Sequence, residues 1–352
     1  MKRLDDWFYT PAAQVNLDAQ QAALARQAQL TKPHGALGRL EDLAIQLAGL
    51  QGTVTPSVKR VRIVIFAADH GIAADNVSAF PQEVTAQMVA NMARGGAAIS
   101  VLARALGAGI ELIVLGSVVP IASDPRIRSE IIAPSTANFT QKAAMTDAQL
   151  RTALAVGRAA VARARGGGTQ LFIGGEMGIG NTTAAAALAC AYLNADPAQL
   201  VGPGTGIDSE RLAHKRQLVA QALELHHHQF KDPFATLMCL GGFEIAAMTG
   251  AYIACAHSRL AILVDGFIST AAALAAQRLC PGIEHWMFAA HSSAEPGHRA
   301  MTDALGLTPL LDLGMRLGEG SGAALAVPIL RHACLLQSEM ATFAEAGVAD
   351  GQ

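Results

Sequence analysis

The chain has 352 residues, enough for one large core or two smaller ones, and 51% of them are hydrophobic against 15% charged. A net charge of −2 gives no electrostatic footprint for nucleic acid, and 5% aromatic residues are too few for a base-stacking platform. Five cysteines, Cys190, Cys239, Cys255, Cys280 and Cys334, form no C-x-x-C pair, which argues against a zinc knuckle or a disulfide framework and predicts reduced thiols in a cytoplasmic protein. Acids follow Lys2 and Arg3 where an export leader would have an apolar run, so no leader is expected. The longest apolar stretches, such as 245–256, are too short to span a bilayer.

In chain order, residues 14–30 are helix-favouring. Within 36–51, ALGRLEDLAIQLAGLQ, the residues Leu37, Leu40, Leu43, Leu47 and Leu50 fall three or four apart, the spacing of an amphipathic helix. The first strand is VRIVIFA at 61–67, a short apolar run rich in β-branched residues. Similar runs follow at 110–115 (IELIVL), 170–173 (QLFI), 260–264 (LAILV) and 286–289 (WMFA), and 237–240 reads as a sixth. Alanine-rich segments of helical length separate them. Strands alternating with helices predict an α/β fold with a doubly wound, mostly parallel sheet. The helical segments before 61 and after 325 have no strands, and they are expected to form a small helical domain, 1–60 plus 326–352, beside a large domain, 61–325. Most strands run into a glycine-bearing or polar turn: Asp69-His70-Gly71, Gly174-Gly175-Glu176, Asp265-Gly266 and His291-Ser292-Ser293. Ligands of open α/β sheets bind at the carboxyl ends of strands, so these turns should face one crevice.

The turn GGEMGIGNTT at 174–183 has the frame of a phosphate-binding P-loop, G-x-x-x-x-G-K-[ST], with Asn181 where the lysine belongs. It follows a strand and opens an alanine-rich helix, whose unpaired first amides favour an anion. Gly178 and Gly180 let the backbone approach a phosphate, and Asn181, Thr182 and Thr183 add neutral donors. Without the lysine a triphosphate is poorly compensated and a phosphate monoester is not. A glycine-rich turn that binds nothing has the same pattern. Lys215, on the helix expected around 211–223 after VGPGTGID (201–208), is placed to supply the missing charge. Asp265-Gly266 resembles the ribose-holding turn of phosphoribosyltransferases that use phosphoribosyl pyrophosphate, but glycine replaces the second acid. One carboxylate is a poor Mg²⁺ site, and capping a helix is the competing role. In RLGEGSGAALA (316–326), Glu319 stands between glycines on a bare backbone, a candidate general base. Glu176 is a second carboxylate close to the anion site. His226, His227 and His228 point around a helix, cannot converge on one ion, and read as solvated surface. Asp69 and His70 form a possible catalytic pair, but no local motif supplies a nucleophile.

Taken together, KPHGALGRLE, AADHGIAADNVSAFPQEVTAQM, GEMGIGNTTAAAAL, VGPGTGID, LVDGFISTAAAL, AAHSSAEPGH and LLDLGMRLGEGSGAALA run nearly end to end. This ordered set strongly resembles the nicotinate-nucleotide–dimethylbenzimidazole phosphoribosyltransferase family. Ala36 departs from the serine frequent there. The resemblance implies a Rossmann-like large domain, a small helical domain from both chain ends, and a homodimer. It implies transfer of 5-phosphoribosyl from nicotinate mononucleotide to 5,6-dimethylbenzimidazole, with no cofactor and no metal. It assigns the base to Glu319 and the nucleotide site to Gly178, Gly180, Asn181, Thr182, Lys215 and Ser293, beside the Asp265-Gly266 turn. Ser78, Phe80, Gln87, Met177 and Leu317 are implied for the aromatic-base pocket. A Mg²⁺-dependent transferase using phosphoribosyl pyrophosphate and a non-catalytic nucleotide-binding sensor are the alternatives.

Overall fold

The computed structural model describes residues 6–349. The basic start and the outermost ends of the expected small domain, residues 1–5 and 350–352, lie outside the described residues. Six strands form one sheet: β1 (Val61–Ala67), β2 (Gly109–Val114), β3 (Ile127–Ser129), β4 (Leu171–Met177), β5 (Ala261–Val264) and β6 (Met287–Ala289). Their order is β3-β2-β1-β4-β5-β6 and every pairing is parallel. That is the doubly wound order with its switch point between β1 and β4, where ligands bind at the carboxyl edge.

The strand sequences are near-continuous apolar runs because helices cover both faces. Successive residues of β4 show this directly. A Cβ on Gly174 would meet the Tyr252 hydroxyl at 2.9 Å, in the Phe243–His257 helix. A Cβ on Gly175 would meet the Glu319 carbonyl at 2.6 Å, just before the Ser321–Glu339 helix. The two helices therefore lie on opposite faces, since neighbouring strand residues point opposite ways. The high alanine and glycine content has the same cause. At Gly157 and Gly250 the Asp147–Gly166 and Phe243–His257 helices meet backbone to backbone, each with room for no side chain.

The amphipathic helix near the start runs Arg39–Gln51, with Leu43, Leu47 and Leu50 buried. It packs on Leu17–Gln29 and on the Ser321–Glu339 helix, which joins the two ends of the chain. That last helix begins at the carboxyl edge of the sheet and runs unbroken through residue 326.

Two expectations fail. Residues 237–240 are not a strand but the end of a helix, Pro233–Leu240. Asp232 accepts from the Phe234 amide at 3.0 Å and Pro233 takes the first helical position, a start signal that outweighs the short apolar run. His226 is not solvated; it is buried, and its Nε2–H donates to the Phe139 carbonyl at 2.8 Å, while His227 and His228 are exposed. β3 has no signal in the sequence, being three partly exposed residues at the sheet edge.

Candidate active site

The ends of β4, β5 and β6 and the turns after them meet in one cleft of about 420 Å³, but the expected Asp69-His70-Gly71 turn after β1 does not line it, because Asp69 and His70 are fully buried. Glu176 and Met177 line it from the end of β4, which runs on through the expected Gly174-Gly175-Glu176 turn, and Gly178, Asn181 and Thr182 line it from the turn and helix that follow. Asp265 and Gly266 come from β5, His291, Ser293 and Glu295 from β6, and Arg316 to Glu319 from the loop before the last long helix. Val84 and Met88 add an apolar wall, and Phe80 and Leu317, each more than half exposed, form the rim.

The glycine turn opens the Asn181–Leu193 helix, with Gly180 at φ 100° as its cap. Asn181 borders the cleft and makes one further contact. Its side-chain amide donates to Glu176 Oε2, so it holds a carboxyl group in the lysine's place. The positive charge comes from Lys215, in the Ser209–His226 helix. This lysine is buried, with Nζ donating to Thr182 Oγ1 at 3.0 Å and to the Gly202 carbonyl at 3.1 Å. Burial lowers its pKa to about 8, and the Glu295 carboxylate works against that shift.

Glu176 and Glu319 are both buried, at 5% exposure each. The Glu319 amide donates to Glu176 Oε1 at 3.4 Å. Burial raises the Glu176 pKa to about 8, with the Glu244, Asp265 and Glu319 charges adding to it. Glu176 is therefore largely protonated at neutral pH. Burial also lifts Glu319 above the ordinary carboxylate range; the Ile99 amide opposes this and the Asp265 charge supports it. The Glu319 Oε2 atom is buried without a hydrogen-bond partner. The backbone there is unusual: Gly318, Glu319 and Gly320 have φ of 87°, 63° and 78°. A non-glycine residue in this region is costly and marks a position the surroundings enforce.

Asp265 does the enforcing. It borders the cleft, but its Oδ2 accepts from the Gly320 amide at 3.1 Å and its Oδ1 from the Ala323 amide at 2.7 Å. The expected helix-capping role is real, but the helix is the one after Glu319 and not the one after Asp265. His291 Nε2 lies 3.7 Å from Asp265 Oδ1. Ser293 is set by His298: burial lowers the pKa of this histidine to about 4, so it is neutral, and its Nδ1 accepts from the Ser293 amide at 3.1 Å. Its Nε2–H then donates to Thr270 Oγ1 at 3.1 Å.

Ser78 and Gln87 stand apart from the other residues expected in the aromatic pocket. Ser78 does not border the cleft directly; its Oγ is 3.2 Å from Thr205 Oγ1, which does. Gln87 is exposed on the Glu83–Arg94 helix and faces a neighbouring depression with Val119 and Ile121. Val84 and Met88, one turn apart, take the inward face, and Gln87 is rotated off it. Glu295, Arg316 and Thr205 escape a reading of the sequence. Glu295 accepts from the Gly204 amide at 3.1 Å, and Arg316 donates to the Gly204 carbonyl at 2.6 Å. Both pin the VGPGTG loop across the cleft. They lie far from that loop in the sequence, so no local pattern points to them.

A parallel sheet with a glycine-rich anion turn and two buried carboxyl groups at its switch point is built as an enzyme that holds a phosphate ester and moves a proton beside it. Residues 12–348 match the family model described as "Phosphoribosyltransferase". The chain is 56% identical over 346 residues to the nicotinate-nucleotide–dimethylbenzimidazole phosphoribosyltransferase of Pseudomonas fluorescens (strain SBW25), covering 98% of this chain and 99% of that one. It is 56% identical over 345 residues to the protein of the same name from Xanthomonas axonopodis pv. citri (strain 306), with the same coverage. The crystal structure of nicotinate-nucleotide–dimethylbenzimidazole phosphoribosyltransferase from Thermus thermophilus superposes with a TM-score of 0.90 at 46% identity, over 95% of this chain and 99% of that one. The chain belongs to the nicotinate-nucleotide–dimethylbenzimidazole phosphoribosyltransferase family.

Proposed function

We propose that this chain transfers the 5-phosphoribosyl group from nicotinate mononucleotide to 5,6-dimethylbenzimidazole, in the lower-ligand branch of cobalamin biosynthesis. The products are α-ribazole 5′-phosphate and nicotinate. The observation that carries this reading is Glu319: a buried, strained carboxylate with one oxygen unpartnered, beside a glycine turn suited to a phosphate monoester.

The donor's glycosidic nitrogen is a pyridinium. When the C1′–N bond breaks, the electron pair neutralises that nitrogen, so departure needs no general acid. The benzimidazole nitrogen attacks C1′ from the opposite face, turning a β- into an α-riboside. The ring becomes cationic, and Glu319 stabilises it and takes its N–H proton. A raised carboxylate pKa makes a better acceptor at neutral pH. Glu176, protonated and tied to Asn181, adds no like charge next to Glu319. Gly178, Gly180, Thr182, Lys215 and Ser293 hold the nucleotide, and Met177, Phe80, Leu317, Val84 and Met88 receive the aromatic base. Ser78 supports that pocket through Thr205. Asp265, with Gly266 beside it, positions the Glu319 loop. The family resemblance implies Gln87 for the base pocket; the geometry of its helix supports a role on the neighbouring surface instead.

The chain is proposed to be organised as a small helical domain, 1–60 plus 326–352, on a large domain, 61–325. Five free, buried cysteines support a reducing compartment, the cytoplasm. No described helix is long and apolar enough to cross a membrane. A homodimer is supported by the exposed apolar side chains Val118 and Ile131, just beyond adjacent strands β2 and β3. The amides on both oxygens of Asp265 weigh against a Mg²⁺-dependent pyrophosphate donor, and the strain kept at Glu319 weighs against a non-catalytic sensor.

The test is to mix the purified protein with both substrates in excess EDTA and look for α-ribazole phosphate by chromatography. Product formation at the rate without EDTA is expected. No product, or product only on adding Mg²⁺ with phosphoribosyl pyrophosphate, would overturn the reading.

A further inference from the structure

Beneath the glycine turn lies a buried histidine–glutamate hydrogen bond that the transfer chemistry does not use. His70 Nε2 and Glu244 Oε1 are 2.6 Å apart, and both side chains are fully buried. His70 follows β1 and Glu244 lies in the first turn of the Phe243–His257 helix. Three glycines close on this one side chain. A Cβ on Gly180 would meet His70 Cβ at 3.0 Å, one on Gly178 would lie 3.6 Å from His70 Cδ2, and one on Gly242 would collide with Cε1. The backbone of His70 is held as well, its carbonyl accepting from Gln82 Nε2 at 2.9 Å.

We propose that His70 and Glu244 are a positioning pair: together they form the floor that fixes the Gly178–Gly180 turn, and so set the enzyme's affinity for the phosphate of its donor. The inference rests on the reading of that turn as the phosphate site. Its logic is steric and electrostatic. A side chain wedged under two glycines of an anion turn, its Cβ against one and its ring edge near the other, limits how their amides point, and a hydrogen bond on Nε2 holds the buried ring in one orientation. Glu244 supplies that bond, while His70 Nδ1 and Glu244 Oε2 are buried without a hydrogen-bond partner. The Glu244 charge also helps to raise the pKa of Glu176, which places the pair in the electrostatic surroundings of the reacting groups.

Glu244→Gln keeps the shape and removes the carboxylate acceptor; His70→Asn removes the wedge. Binding of nicotinate mononucleotide and of nicotinate riboside is measured by calorimetry for wild type and both variants, alongside thermal melting. Each variant is expected to bind the mononucleotide roughly tenfold more weakly, as for loss of a hydrogen bond to a charged group. Each should bind the riboside within about twofold of wild type, since the riboside has no phosphate to report the turn's geometry. Equal losses for the two ligands, or unchanged binding with only a lower melting temperature, would overturn the inference. So would failure of both variants to fold, which would assign the pair to the core. If wild type itself prefers neither ligand, the phosphate reading of the turn has failed, and that result is distinguishable from the others.

Discussion

At Glu319 the protein sustains two local costs together. The left-handed backbone of a non-glycine residue costs on the order of 1–3 kcal/mol, and a buried carboxylate oxygen lacks a partner. Neither benefits the fold. Glu319→Gly should therefore raise the melting temperature of the free enzyme while lowering turnover by roughly a hundred- to ten-thousand-fold, the usual range for a general base. Glu319→Gln should lose nearly as much turnover, because an amide cannot take the proton. Steady-state kinetics and a thermal melt decide both; a variant that is less stable and still active would show that the residue is structural. Glu176 behaves differently. Its carboxyl pKa rises from 4.5 unfolded to about 8 folded. Its contribution to stability is complete below pH about 4.5 and is lost as pH rises through about 8. Glu176→Gln should flatten the fall in stability across that window by up to ~1.4 kcal/mol per pH unit, and it should cost less turnover than Glu319→Gln. Denaturant melts at several pH values test the first point. Dead Glu176→Gln beside active Glu319→Gln would reverse the assignment of the base.

The glycine turn and its helix show what sequence spacing can and cannot convey. The frame from Gly175 to Thr182 places the turn after β4 because a strand, a turn and a helix start are all local. Partners that arrive from elsewhere in the chain are not local. Asn181 donates to Glu176, and Lys215, 33 residues from Thr182, supplies the charge. Asp265 holds a helix 55 residues further on through Gly320. Val84 and Met88 enter the cleft by the rotation of one helix, which residue identity alone does not reveal. The strands β1, β2, β4, β5 and β6 are legible as apolar runs because both of their faces are covered. β3 is not, because edge position allows polar residues. Since Lys215 carries the turn's charge, Lys215→Met should weaken nicotinate mononucleotide and leave nicotinate riboside nearly unchanged. In wild type, mononucleotide affinity should decline as pH rises through about 8, where Lys215 loses its proton. Calorimetric titration from about pH 6 to about pH 9, bracketing that value, checks both. A riboside loss equal to the mononucleotide loss would remove Lys215 from the phosphate site; a pH limb that survives in Lys215→Met belongs to Glu176, which titrates in the same range.

On the scale of the whole molecule, apolar surface remains where the sheet ends. Val118 is 41% exposed and Ile131 is 53% exposed, and they follow β2 and β3 at the same carboxyl edge that carries the cleft. Val101, at 49%, lies on the Ala98–Leu106 helix, which packs against β2. The depression facing Gln87 adds Val119, Pro120 and Ile121 to this side. Apolar side chains left exposed on this side of the sheet are the kind of surface a second copy of the chain would cover, since isologous dimers are the commonest soluble oligomers. Ile131→Asp places a charge on that face without touching the cleft. Light scattering of wild type at micromolar concentration should give twice the chain mass, and Ile131→Asp should shift the population toward monomer. The secondary structure of the variant should be unchanged by circular dichroism. A wild type that is monomeric and fully active would rule the dimer out. A dimer indifferent to Ile131→Asp would place its contact on another face and return Gln87 and the β2–β3 edge to solvent.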